Sequence, residues 1–277
     1  MLRIAIQSKG RLYEESMALL EEAGIKIPGG KRTLLVPARN FPVEVLFLRD
    51  DDIPESVASG VADVGIVGLN EVMEKRCPVG ILKKLGFGKC RLSLAIPQDI
   101  DYQDRNWFSG KKIATSYPGI LSDYLHKNGI VSDIHVITGS VEIAPGIRLA
   151  DAIFDIVSSG STLVSNRLKE VETVVESEAV LIGTDSISPE KRGILDELLF
   201  RFDSVQAADD KKYILMNVPQ KKLNDVLSVL PGIKSPTVMP LADKEWCSVH
   251  TVLDEKCFWE IINRLKMAGA EGILVLD

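Results

Sequence analysis

Short apolar runs alternate with segments of helical period through the first two thirds of the chain, and this alternation restricts the fold more than any other feature. LRIAIQ (2–7) reads as a strand. RLYEESMALLEEAG then places Leu12, Ser16, Leu19, Leu20 and Ala23 on one helical face, with Gly24 as a stop. VEVLFL (43–48) is the next strand, and a helix starts near Pro54, where proline's missing N–H costs nothing. Residues 64–67 and CRLSLAIP (90–97) are further strands, followed by KKIATS (111–116), IHVITG (134–139), VETVVES (171–177) and AVLIGT (179–184). Helices are expected over 119–129 and over LADAIFDIVSSG (149–160), where Leu149, Ile153, Ile156 and Val157 recur at helical spacing. Strands that alternate with helices form mostly parallel sheets covered on both faces.

Two such sheets joined by crossing strands leave a cleft between two lobes. The chain is expected to leave the first lobe near 97 and return near 178, giving one lobe from 1–97 with 178–208 and another from 98–177. AADDKK (207–212) reads as a linker. Beyond it the order changes. YILMNV, KKLNDVLSVL, TVMPL, CSVHTVL, CFWEIINRLKMAG and GILVLD read as βαββαβ, so 211–277 is expected to be a ferredoxin-like domain.

With 45% apolar and 26% charged residues in 277, the chain has the material for several cores. A net charge of −6 argues against general nucleic-acid binding but leaves room for a local basic cleft. MLRIAIQSKGRL lacks the apolar core of a secretory signal, and no apolar run approaches the roughly 20 residues needed to span a membrane. Cys77, Cys90, Cys247 and Cys257 form neither a CxxC pair nor a zinc spacing, and read as reduced thiols of a cytoplasmic protein. His126, His135 and His250 are scattered without metal-ligand spacing and read as structural or surface residues.

The segment DIVSSGSTL (155–163) holds five small residues in a row, Ser158, Ser159, Gly160, Ser161 and Thr162. Such a run serves as an ordinary helix-to-strand turn. It also serves as a phosphate cradle, because small residues let backbone N–H groups approach an anion and hydroxyls add donors. The lysine of a nucleotide P-loop is missing. Carboxylates nearby suit a sugar phosphate: Asp155 just before the loop, Asp151 one expected helical turn earlier, and Glu142 after the preceding strand. Cations for phosphate charge are Lys9 and Arg11, just after the first strand at the carboxyl edge where open α/β sheets bind ligands, and Arg49 at the end of strand 43–48. In the run Asp50–Asp51–Asp52, Asp52 is expected to cap the helix that begins at Pro54.

Residues 139–182, GSVEIAPGIRLADAIFDIVSSGSTLVSNRLKEVETVVESEAVLI, closely resemble the signature region of the ATP phosphoribosyltransferases, which open histidine biosynthesis. The resemblance extends to IAIQSKGRL, LFLRDDDIP, GVADVGIVG, CRLSLAIP and IATSYP, and the tail motifs KSPTVMPLA and AGAEGILVLD resemble the regulatory domain of the family's long form. One position departs from the expected pattern: Arg148 stands where a glycine is expected before LADAI.

The resemblance implies a magnesium-dependent reaction of ATP with 5-phosphoribosyl 1-pyrophosphate (PRPP). It assigns the 5′-phosphate to the 158–162 loop, with Glu142, Asp151 and Asp155 around the ribose. Glu142 and Asp155 are the oxygen ligands toward Mg²⁺, which is held largely through PRPP. Arg32 and Arg49 align with arginines that face the pyrophosphate and ATP phosphates, beside Lys9 and Arg11. Tyr117 is either an adenine contact or a packed aromatic at a strand end. The resemblance further implies a homo-hexamer inhibited by histidine, with contacts at Asn217, Ser235, Thr237 and Gly272. The rival readings are a two-lobed small-molecule binding protein, since periplasmic-binding proteins share this architecture, and a phosphoribosyltransferase for another base.

Overall fold

The computed structural model describes residues 1–28, 33–209, 211–231 and 235–276. They form two compact units, 1–202 and 203–277.

The first unit opens with β1 (Leu2–Gln7), α1 (Arg11–Glu22), β2 (Leu35–Pro37), β3 (Val43–Leu48), α2 (Ile53–Ala58), β4 (Val64–Gly68), α3 (Leu69–Lys75) and β5 (Gly80–Lys84). It continues with β6 (Cys90–Pro97), β7 (Lys112–Thr115), α4 (Pro118–Lys127), β8 (Asp133–Val136), β9 (Ala152–Val157), α5 (Ser161–Ser165), β10 (Leu168–Ser177), β11 (Ala179–Gly183) and α6 (Pro189–Ala208). The boundary between the units falls inside α6. Two sheets result, ordered β2-β3-β1-β4-β11-β5 and β10-β6-β9-β7-β8. In β1, Leu2, Ile4, Ala5 and Ile6 are all fully buried, as expected of a parallel strand flanked by β3 and β4 and covered on both faces.

Both sheets are mixed, as expected, with parallel strands at the centre and a larger antiparallel share than the sequence reading gives them. Parallel pairing joins β3-β1-β4 in one sheet and β8-β7-β9 in the other, and antiparallel strands flank each trio. The reason lies at the crossings, where strands that leave and re-enter a sheet run against its parallel core. The outward crossing comes earlier than the sequence reading places it. Cys90–Pro97 pairs with β9 and β10 in the second sheet, so the first lobe ends before 90 and not at 97. Leu85 donates to the carbonyl of Ala179 and Ala179 to that of Phe87, which ties the outward crossing to the return crossing near 178.

The segment read as a helix over 149–160 is largely the strand β9. Ala152, Ile153 and Phe154 are buried in succession, with Ala152 and Phe154 in one core and Ile153 and Val157 in the core on the other face. Ile156, which a helix would bury, is 40% exposed. A strand covered on both faces and a buried helical stretch both read as continuous apolar runs, and here the strand wins. β2, α3, β5 and α6 are elements the sequence reading leaves out. Asp52 occupies the N-cap position of α2, but its side chain makes no capping bond.

The second unit comprises β12 (Lys211–Pro219), α7 (Leu223–Val229), β13 (Thr237–Pro240), β14 (Trp246–Asp254), α8 (Glu255–Ala268) and β15 (Glu271–Leu276). Its antiparallel sheet runs β13-β14-β12-β15, the ferredoxin-like order expected. Ile214, Met216, Val218 and Val249 pack with Val226 of α7 and Phe258, Ile261 and Leu265 of α8.

Candidate active site

The parallel strands of both sheets end at the same cleft. The loops after β1, β3 and β4 supply Gln7, Arg11, Asp50, Asn70 and Glu71 from the first lobe, and the end of β9 supplies Ile156 and Ser158 from the second. These residues, with Lys89 and Cys90 of the crossing segment, line a cavity of about 260 Å³. A second cavity of about 560 Å³ shares Lys89, Cys90 and Ser158 and reaches Arg91 and Ser177. Ligands at carboxyl strand ends are the general outcome in open α/β sheets, because loops and amide dipoles converge there.

A buried polar network joins the lobes beside the smaller cavity. Asn70 and Glu71 are only 4% and 6% exposed. The Tyr117 hydroxyl donates to Glu71 Oε1 at 2.9 Å, and Asn70 Nδ2 donates to the Tyr117 hydroxyl at 3.2 Å. Ser177 Oγ donates to Asn70 Oδ1 at 2.8 Å. Burial pushes the Glu71 carboxyl above the usual range, an effect that the Tyr117 hydrogen bond partly offsets. Tyr117 packs in the core of the second lobe with its hydroxyl engaged between the lobes. Asn70, Glu71, Lys89 and Cys90 are cleft residues to which the sequence reading gives no place in the site. Asn70 and Glu71 follow the apolar strand 64–68 just as Lys9 and Arg11 follow β1, which is the signal that could have found them. Lys89 and Cys90 were hidden by placing the crossing at 97.

The small-residue loop is a strand-to-helix turn from β9 to α5, not the helix-to-strand turn expected. Ser158, Ser159, Ser161 and Thr162 are exposed, and Gly160 adopts φ +80°, a conformation that favours glycine. The hydroxyls of Ser159 and Ser161 lie 3.0 Å apart. Asp155, near the end of β9, has its carboxyl pushed up to about 6 by burial and by the nearby charge of Glu142, against the bond it accepts from the Ile156 amide. The short helical turn Val141–Ile143 packs against β9, which brings Glu142 near Asp155. Asp151 is not with them. It precedes the amino end of β9, where its carboxylate accepts the Lys112 amide at 2.8 Å. A strand rises about 3.3 Å per residue, so Asp151 lies roughly 13 Å of chain from Asp155.

Of the expected cations, Arg11 lines the cavity and pairs with Glu15 at 3.1 Å. Lys9 is exposed in the loop after β1, and Arg49 is exposed and pairs with Asp51 at 3.2 Å. Arg32 lies outside the described residues. Among the described residues no group of three or more His, Cys, Asp or Glu converges to cage a metal. Glu142 and Asp155 are hard oxygen donors of the kind Mg²⁺ prefers, and they fit an ion that takes its other oxygens from water and substrate phosphates.

In the second unit, Asn217 and Gly272 are neighbours on β12 and β15. A Cβ on Gly272, which has φ +55°, would meet Asn217 Nδ2 at 3.4 Å. Ser235 precedes β13, where Thr237 pairs with His250 of β14. The sheet order places β13 and β15 at opposite edges, so one chain does not bring the four residues together. His250 bridges the Tyr213 hydroxyl at 2.7 Å and Ser248 Oγ at 2.9 Å.

The sequence profile of the ATP phosphoribosyltransferase family matches residues 49–204, and that of the family's C-terminal domain matches residues 208–277. An ATP phosphoribosyltransferase of Bacteroides fragilis is 70% identical over 276 residues, covering 100% of this chain and 98% of the relative. One from Cytophaga hutchinsonii is 58% identical over 275 residues, covering 99% and 96%. Among solved structures, an ATP phosphoribosyl transferase (HisG:HisZ) complex from Thermotoga maritima is 27% identical with a TM-score of 0.66, covering 76% of this chain and 100% of that chain. A putative sulfonate transporter's periplasmic sulfonate-binding protein from Methylobacillus flagellatus shares the two-lobed fold at 16% identity and a TM-score of 0.52, covering 76% and 68%.

Proposed function

The chain belongs to the ATP phosphoribosyltransferase family, and we propose that its interlobe cleft joins ATP to PRPP, giving 1-(5-phosphoribosyl)-ATP and pyrophosphate, the first step of histidine biosynthesis. The observation that carries the reading is the loop Ser158–Thr162 at the end of β9, opening on a cavity walled by both lobes, with Asp155 and Glu142 beside it. The loop receives the 5′-phosphate through amides and hydroxyls, and the two carboxylates accept bonds from the ribose hydroxyls. Asp151 has no part in this arrangement.

The lone pair of adenine N1 forms the new bond to C1′ as the bond from C1′ to the pyrophosphate oxygen breaks, with inversion. Because N1 already carries that pair, no strong general base is required. Two anionic substrates must be held in line, so the protein's share is orientation and charge. Arg11 on the cavity wall, with Lys9, Arg49 and Arg32, meets the phosphates. When bound with the diphosphate, Mg²⁺ supplies neutralisation of the leaving group, with Glu142 and Asp155 as protein-side oxygen donors. The network Asn70–Glu71–Tyr117–Ser177 fixes the lobes beside the reacting atoms and keeps bulk water from that wall.

Incubation of the full chain with ATP, PRPP and Mg²⁺ tests the reading. Release of pyrophosphate together with the phosphoribosyl-ATP chromophore is the expected result, and binding of either substrate without turnover would sink it. The second unit is the histidine sensor in this reading, acting by preferring one conformation of a homo-hexamer. The enzyme works in the cytoplasm, a placement supported by its four free cysteines.

A further inference from the structure

Arg91 of β6 uses all three nitrogens of its guanidinium. Nε donates to Glu170 Oε1 and Nη2 to Glu170 Oε2, both at 2.5 Å, while Nη1 donates to the carbonyl oxygen of Ser158 at 3.2 Å. Glu170 is held in turn by the Ser93 hydroxyl at 2.7 Å and the Thr173 hydroxyl at 3.2 Å. These bonds, the Arg91 fork first among them, keep the Glu170 carboxyl down at about 2, so the pair stays ionised at any working pH. A guanidinium is planar and rigid. Seating two of its nitrogens on one carboxylate therefore fixes where the third points.

The third nitrogen points at the entrance of the 158–162 loop. The Ser158 carbonyl belongs to the same peptide plane as the Ser159 N–H, and in a trans peptide the two point in opposite directions. Holding the oxygen toward Arg91 turns the Ser159 N–H the other way. We infer that Arg91 is a positioning residue, clamped by Glu170, that fixes the Ser158–Ser159 peptide and so presets the loop for a sugar phosphate. Its consequence for substrate rests on the reading of this loop as the PRPP cradle; the clamp itself is a matter of geometry. Arg91 also lines the larger cavity, but its charge is already matched by Glu170, and a direct grip on a phosphate would have to break the fork.

The experiment compares Arg91→Lys, Glu170→Gln and Ser93→Ala in the full chain. It reads the KM for PRPP, the KM for ATP, and millisecond hydrogen exchange at residues 158–162. The clamp predicts a KM for PRPP raised about tenfold in the first two variants, the size expected for loss of one charge-assisted bond, with the KM for ATP within about twofold. It also predicts faster exchange at Ser159, and the same pattern at smaller size in Ser93→Ala, which removes only one support of Glu170. Unchanged exchange in folded variants overturns the clamp. A weakened Arg91→Lys beside an unaffected or tighter Glu170→Gln overturns it too, in favour of direct phosphate contact. Faster exchange with unaltered PRPP binding supports the clamp and removes the cradle reading instead.

Discussion

Asp155 carries opposed demands. Burial and the Glu142 charge raise its pKa from 3.8 to about 6, yet it offers both oxygens to the ribose hydroxyls as strong, charge-assisted acceptors only when ionised. The kcat/KM for PRPP should therefore fall as pH drops through about 6, and Glu142→Gln should move that acid limb to lower pH by removing the neighbouring charge. A pH profile whose limb stays in place in Glu142→Gln would show that another group sets it. The same shift acts on stability. Because the folded state holds this proton more tightly than the unfolded chain, its contribution is complete below about pH 3.8 and is lost as pH rises toward 6. Asp155→Asn should thus stabilise the free enzyme at pH 7 by roughly 1–2 kcal/mol, and by almost nothing at pH 4, while impairing PRPP binding. Chemical denaturation at the two pH values measures the difference, and an equal effect at both would refute the burial argument.

Among the elements, α4 starts in an unusual way. Its N-cap residue Tyr117 offers no side-chain cap, and Pro118 has no N–H. The cap comes from the other lobe: Glu74 of α3 accepts the Gly119 and Ile120 amides at 2.8 and 2.9 Å. A Cβ at Gly119 would sit 3.0 Å from Glu74 Oε1, so the glycine permits the approach. Glu74→Ala should cost about 1–2 kcal/mol by urea unfolding, and an unchanged midpoint would mean that water replaces the carboxylate without loss. At the N-cap of α5, Gly160 tests strain rather than space, because a Cβ there would meet only Val157 Cγ1 at 3.9 Å while φ stays at +80°. Gly160→Ala should raise the KM for PRPP and leave that for ATP unchanged; equal KM values for the variant and the parent would show that the loop tolerates the change. Both features were only partly legible in the sequence. The run of small residues marked the loop, and the alternation of elements marked two lobes. The helical spacing of Leu149, Ile153 and Ile156 concealed β9, because a strand buried on both faces shows no alternation. Glu74 was invisible because its partners are backbone amides some 45 residues away.

At the scale of the whole molecule, the βαββαβ order made the sheet of the second unit legible, and the sensor role proposed for that unit rests on the family motifs alone. That ferredoxin-like strand order sets Thr237 apart from Asn217 and Gly272 within one chain. Gly272 of the edge strand β15 lies beside Asn217 of the inner strand β12, and Thr237 lies on the opposite edge, three strand spacings or roughly 14 Å from Gly272. One amino acid cannot touch both ends of that span in a single chain. If all four residues contact histidine, each site takes Ser235 and Thr237 from one chain and Asn217 and Gly272 from another. Thr237→Val and Gly272→Val should then each abolish inhibition by histidine while leaving kcat unchanged. Re-assembling the two variants together should restore a fraction of sensitive sites, because some interfaces would pair an intact edge with an intact edge. Titration of histidine against initial rate for each variant and for the mixture decides the matter. Inhibition that survives in either variant removes that residue from the sensor, and a mixture that stays wholly insensitive means that the site is not shared between chains.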